Sequence, residues 1–142
     1  MTNKTKILWL RIACWVGIII DAIGVIMMLF PQLYANFSAV PFASDAGFFY
    51  AQRNHAALMI GWTILLLWAD HKPMERKDIV FITLIVIIGY TVFLFYTIAA
   101  GFATLNDSID EIIREVLMIA LFAFSYFNAR TPSTNLKNEA IG

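Results

Sequence analysis

Seven side chains in this apolar chain have the chemistry to hold a ligand or move a proton: Asp21, Arg53, His55, Tyr90, Thr97, Arg114 and Glu115. Asp21 is the most demanding of them. It lies nine residues before Phe30, the end of a long apolar run, and so about 13 Å down a helix at ~1.5 Å per residue. A carboxylate at that depth is too short to reach the interface. An isolated charge near the bilayer centre costs at least ~2.5–3.5 kcal/mol, so such groups face a bundle interior or water and are paired. Arg53 and His55 precede the apolar run 56–69, and Arg114 and Glu115 precede the run 116–129. Each run covers only about 21 Å as a helix, against a hydrocarbon core of ~30 Å. The polar residues beside them must therefore supply part of the crossing.

Spacing suggests how these groups are placed. Ala13, Gly17, Asp21 and Gly24 share one helical stripe, and Arg53, Ala57 and Gly61 share another. Small residues at such intervals allow close helix approach. The sequence therefore predicts that both stripes meet other helices. Asp21, Arg53, His55 and Glu115 would then converge on an outward-facing polar pocket. Asp21 with Arg53 would be one ion pair, and Glu115 with Arg114 or Arg53 another. Tyr90 and Thr97, seven apart, would add hydroxyls from one face. Each group also has a local reading. Arg114 can pair with Asp110 or Glu111 on its own helix, Arg53 can snorkel to outer phosphates, and Asp21 can be a hydrogen-bonded structural carboxyl. Ser108-Ile109-Asp110-Glu111 reads as a capping box opening the last helix.

The elements that must position these residues follow from composition. Of 142 residues, 61% are hydrophobic and 14% charged, with a mean hydropathy of +0.75; a soluble domain is roughly 45–50% apolar and about 25% charged. This is an all-α membrane protein. Four spans are predicted, at about 7–30, 48–69, 79–101 and 109–128. They form one domain, 1–128, followed by a polar tail, 129–142, expected to be disordered. A cleaved signal peptide is the rival reading of the first span, but its apolar region would be only ~7–15 residues long. Pro31 ends that span, and Leu33 and Phe37 make a short interfacial segment one reading of the loop 31–47.

Lys and Arg set the orientation. Eight of the ten fall at one end of the spans: Lys4, Lys6 and Arg11, then Lys72, Arg76 and Lys77, then Arg130 and Lys137. Both termini are thus expected on the cytoplasmic side of a multi-pass membrane protein. Trp9, Trp68 and Tyr126 would lie at the inner interface, and Tyr34 and Tyr50 at the outer one.

Other chemistry is poorly supported. Ten basic residues balance ten acidic ones, so no charge excess favours nucleic acid. Cys14 is the single cysteine, and His55 and His71 fall on opposite sides of the membrane, so neither a metal nor a cofactor is expected. No nucleophile elbow, phosphate loop or dinucleotide turn is present.

Three features together resemble the DoxX-like small four-helix bacterial membrane proteins. They are a first helix ending in Leu29-Phe30-Pro31, a second in which Arg53 leads into Ala56-Ala57-Leu58 and Gly61, and a basic hairpin, Asp70-His71-Lys72-Pro73-Met74-Glu75-Arg76. The resemblance covers residues 7–128 and implies a four-helix bundle in the bacterial inner membrane, with no catalytic residue. Three functions fit these observations. The first is binding of a small amphipathic or lipidic ligand, or of a partner membrane protein or second copy, at the outward-facing pocket. The second is proton-coupled small-molecule transport through Asp21. The third is a lipid-modifying enzyme using Asp21 or Glu115 with His55.

Overall fold

A computed structural model describes residues 2–30, 33 and 46–131. Among them the chain is entirely helical, in four long helices: α1 (Asn3–Leu29), α2 (Ala46–His71), α3 (Lys77–Ala99) and α4 (Ile109–Arg130). Most of the segment 31–47, with its expected interfacial stretch, lies outside the described residues; of the tail expected over 129–142, Ala129 and Arg130 instead continue α4, and the residues beyond Thr131 lie outside the described ones. α1, α3 and α4 are long and apolar enough to cross a membrane, as befits a membrane protein. α2 is long enough at 26 residues. It is less apolar, because Gln52-Arg53-Asn54-His55 and Asp70-His71 dilute its ends.

The helices outrun the predicted spans at several ends. α1 begins at Asn3, where Thr2 Oγ1 accepts a hydrogen bond from the Thr5 amide at 3.4 Å. α2 extends to Ala46 and His71 rather than 48–69, since polar end residues continue a helix as readily as apolar ones. The expected capping box at Ser108 is not formed: Ser108 makes no side-chain cap bond. The preceding turn is closed one turn earlier. Thr104 Oγ1 accepts from the Asp107 amide at 3.2 Å and lies 2.6 Å from Asp107 Oδ2. Glu111 is thereby left to make other contacts.

Neighbouring helices run antiparallel around the bundle. Gly17 and Gly24 of α1 pack on Leu66 and Met59 of α2. Phe81 of α3 stacks on Tyr126 of α4, with centroids 4.7 Å apart. α4 returns beside α1, where Trp9 meets Phe124 edge-on at 4.9 Å and Ser125 Oγ donates to the Trp9 carbonyl at 3.1 Å. Trp62 Nε1 of α2 donates to Thr83 Oγ1 of α3 at 3.2 Å. α2 and α4 occupy opposite corners, with no close backbone approach between them.

The core is concentrated toward one end. Leu10, Ala13, Cys14, Ile18, Leu66, Val80, Leu84, Ile87, Met118, Phe122 and Tyr126 are buried together. They belong to the half of the bundle that carries the start of α1, the end of α4 and the α2–α3 turn. Tyr126 is thus a core residue, its ring turned into the bundle. Lys6, read from sequence as an orienting charge, is only 2% exposed, and its ammonium donates to the Thr131 carbonyl at the end of α4. A cation there also offsets the negative end of the helix dipole. Arg11 and Asp70 add an ion pair at 3.6 Å between α1 and α2.

Candidate functional site

The other half of the bundle holds Arg53, His55, Tyr90, Thr97, Arg114 and Glu115. It is divided into separate places because helix rotation, fixed by the core, sends the side chains in different directions. The most densely bonded place lies between α3 and α4. Arg114 Nε and Nη2 donate to Glu115 Oε1 at 3.1 and 3.0 Å, and Nη2 also donates to Glu111 Oε1 at 3.2 Å. Tyr90 Oη, from α3, donates to the same Glu111 oxygen. Glu115 is 7% exposed. Its carboxylate is satisfied by a half-exposed guanidinium, as a buried charge requires. Of the two surface partners expected for Arg114, Asp110 and Glu111, Glu111 is used, and the expected pair with Glu115 forms beside it. Glu111 was read as a capping residue; freed from that role, it becomes the bridge between Tyr90 and Arg114.

Thr97 does not join this cluster. Its hydroxyl donates to the Phe93 carbonyl at 2.9 Å, one turn back on its own helix. Ser108, one turn above Glu111, is fully buried, and its Oγ has no hydrogen-bond partner among the described residues.

The second place is the end of the α1–α2 seam. Arg53, Phe49, Met28 and Leu29 line a small cleft of about 190 Å³. Arg53 is exposed, and no acidic group among the described residues lies within ion-pair distance of it. The expected Asp21–Arg53 pair is not formed. The antiparallel register explains this: Gly17 opposes Leu66 and Gly24 opposes Met59, so Asp21 falls level with Trp62, more than two turns from Arg53. Asp21 is half-buried on the stripe between those glycines. His55 lies on the exposed face of α2.

The expected convergence of Asp21, Arg53, His55 and Glu115 is therefore corrected. Arg53 and His55 stand on α2 and Glu115 on α4, and those helices are on opposite corners. The two small-residue stripes also differ. The α1 stripe packs closely: a Cβ at Gly17 would lie 2.9 Å from Leu66 Cδ1 and 3.2 Å from Phe122 Cζ. The α2 stripe faces outward, and nothing lies within 4 Å of a Cβ at Gly61. The inward stripe of α2 is Gln52, Ala56, Leu66 and Ala69. Sequence reasoning missed Gln52, although its spacing from Ala56 pairs it with the buried face. Gln52 is 7% exposed, and its Oε1 has no partner among the described residues.

No group of three or more His, Cys, Asp or Glu residues among those described is placed to hold a metal ion. Comparison with protein-family models, with curated proteins and with solved structures finds no match.

Proposed function

We propose that the protein is a four-span protein of the bacterial inner membrane, with both termini in the cytoplasm, that binds an anionic amphiphile at the outer end of the α1–α2 seam. One observation carries the reading. Arg53, a guanidinium without an acidic partner among the described residues, lies in a cleft lined, among the described residues, also by Met28, Leu29 and Phe49. A cation beside apolar walls matches a negatively charged headgroup joined to a hydrocarbon chain, the apolar part supplying most of the contact and the polar part the orientation. The concentration of the core at the opposite end of the bundle supports the same place.

The four-span topology rests on α2. Its 26 residues give a helix of about 39 Å, and it packs antiparallel along α1. The DoxX-like resemblance is a proposal that agrees with this arrangement. The Tyr90–Glu111–Arg114–Glu115 cluster has a structural role in this reading, tying α3 to α4. The outward Ala57–Gly61 face leaves room for a second copy or a partner helix.

The test uses the purified protein in nanodiscs with a photoactivatable single-chain phosphate amphiphile. Labelling is expected on α1 and α2 near Met28 and Phe49, and to fall at least about tenfold in Arg53→Gln, the scale of ~1.5–3 kcal/mol for a charged hydrogen bond. Equal labelling of wild type and Arg53→Gln refutes the proposal. Proton-coupled transport through Asp21 is the second reading. It is favoured because the Asp21 carboxylate has no hydrogen bond or ion pair among the described residues while sitting deep in a span. It requires flux driven by a pH gradient that vanishes in a folded Asp21→Asn variant.

A further inference from the structure

At the opposite end of α2 an open groove of about 530 Å³ is lined by Ile64, Leu67, Trp68, His71, Lys72 and Arg76. Its volume is within the range of small-ligand sites, ~300–1,000 Å³. Its chemistry is sorted by height. Ile64, Leu67 and Trp68 are large exposed apolar side chains on the body of α2. His71, Lys72 and Arg76 form a rim at the helix end and in the turn that follows. The rim is partly preorganised. Arg76 donates to the Trp68 carbonyl, one of the last acceptors of α2, and its guanidinium lies 3.7 Å from the Trp68 ring centroid. Lys72 Nζ is 3.0 Å from Glu75 Oε2, with both side chains exposed. Glu75 is thus the acid that any anion on this rim must displace.

We propose that this groove seats one anionic phospholipid of the inner leaflet, its phosphate held by Lys72 and Arg76 and one acyl chain lying along Ile64, Leu67 and Trp68. The proposal goes beyond the outer cleft and shares none of its residues. It rests on α2 crossing the membrane beside α1. Charge complementarity and the continuous apolar wall argue for this occupant. Basic residues at the cytoplasmic surface attract anionic headgroups. A free phosphate would use only the rim and leave the apolar wall unmatched, and an acidic soluble protein could not enter the hydrocarbon depth of Ile64.

The experiment is native mass spectrometry of the full chain released from mixed nanodiscs of phosphatidylglycerol and phosphatidylcholine with identical acyl chains. Retention of phosphatidylglycerol over phosphatidylcholine is expected, falling roughly fivefold in Lys72→Gln, the effect of one basic residue near the surface. Glu75→Gln, which frees Lys72, should raise retention. Lys72→Gln removes only an exposed pair, so it leaves the Arg76–Trp68 contact and the fold in place. Absence of a preference, an unchanged preference in both variants, or displacement of the lipid by millimolar inorganic phosphate overturns the site. Maleimide labelling of Ile64→Cys in a Cys14→Ser background reports the depth of α2 separately. Shielding of that cysteine together with no lipid preference refutes the groove alone; labelling from water refutes the topology on which it rests.

Discussion

Replacing Gly17 with alanine tests a close helix approach in the bundle. The new methyl carbon would lie 2.9 Å from Leu66 Cδ1 and 3.2 Å from Phe122 Cζ, whereas carbon atoms rest at ~3.5–4.0 Å. Leu66 and Phe122 are both 0% exposed, so neither can swing into open space. Overfilling a packed core costs about 1–3 kcal/mol. The substitution also removes a glycine from a helix interior, a gain of roughly 0.5–1 kcal/mol. The net expectation is a loss of up to about 2.5 kcal/mol. Gly61→Ala is the internal control, because nothing lies within 4 Å of its added Cβ. Only the helix gain remains there, so this variant should be more stable by roughly 0.5–1 kcal/mol. The two alanines should therefore move stability in opposite directions. Unfolding in mixed micelles on titration with a denaturing detergent, followed by tryptophan fluorescence, measures both. Equal stabilisation by both would refute the close passage of α1 against α2 and α4. Destabilisation by Gly61→Ala that depends on protein concentration would place a second copy on the outward face of α2.

Three further outcomes follow from the polar contacts. Arg114→Met leaves Glu115 buried without its cation and should cost ~3 kcal/mol, the lower part of the range for breaking a buried pair because Arg114 is half exposed; in the same unfolding assay, Arg114→Met with Glu115→Met should recover most of that loss. Tyr90→Phe removes the bond to Glu111 and should cost about 1.5–3 kcal/mol, with a double-mutant cycle against Glu111→Gln showing coupling between α3 and α4. Lys6→Ala removes the donor to the Thr131 carbonyl and should cost about 1.5–3 kcal/mol, read together with faster amide exchange in the last turn of α4.

The helices were legible in the sequence because hydrophobic runs in a chain this apolar have few alternatives: an exposed backbone in lipid is satisfied only within a helix or a closed barrel. The close-packing role of the Gly17 stripe and the pairing of Arg114 with Glu115 were legible too, because both are encoded by short intervals along one helix. The Ser108 capping box failed where a local pattern had a competitor. Thr104 and Asp107 closed the preceding turn, and Glu111 gained a better partner in Tyr90. The α2 stripe failed for a different reason. Ala57 and Gly61 permit a close approach but do not compel one, and the opposite stripe, through Ala56 and Leu66, was the one buried.

Sequence alone thus determined the class of the protein, its long apolar helices and which carboxylates and guanidiniums those helices carry. Tertiary structure decided which of these groups meet. Depth along a helix is counted in residues, and so it can be read from the chain. Direction around the helix axis and the choice of neighbouring helix are set by packing between distant segments. A core of Leu10, Leu66, Leu84 and Phe122 fixed those rotations. It brought Tyr90, Glu111, Arg114 and Glu115 together, and it left Arg53 on the far corner of the bundle beside Met28, Leu29 and Phe49.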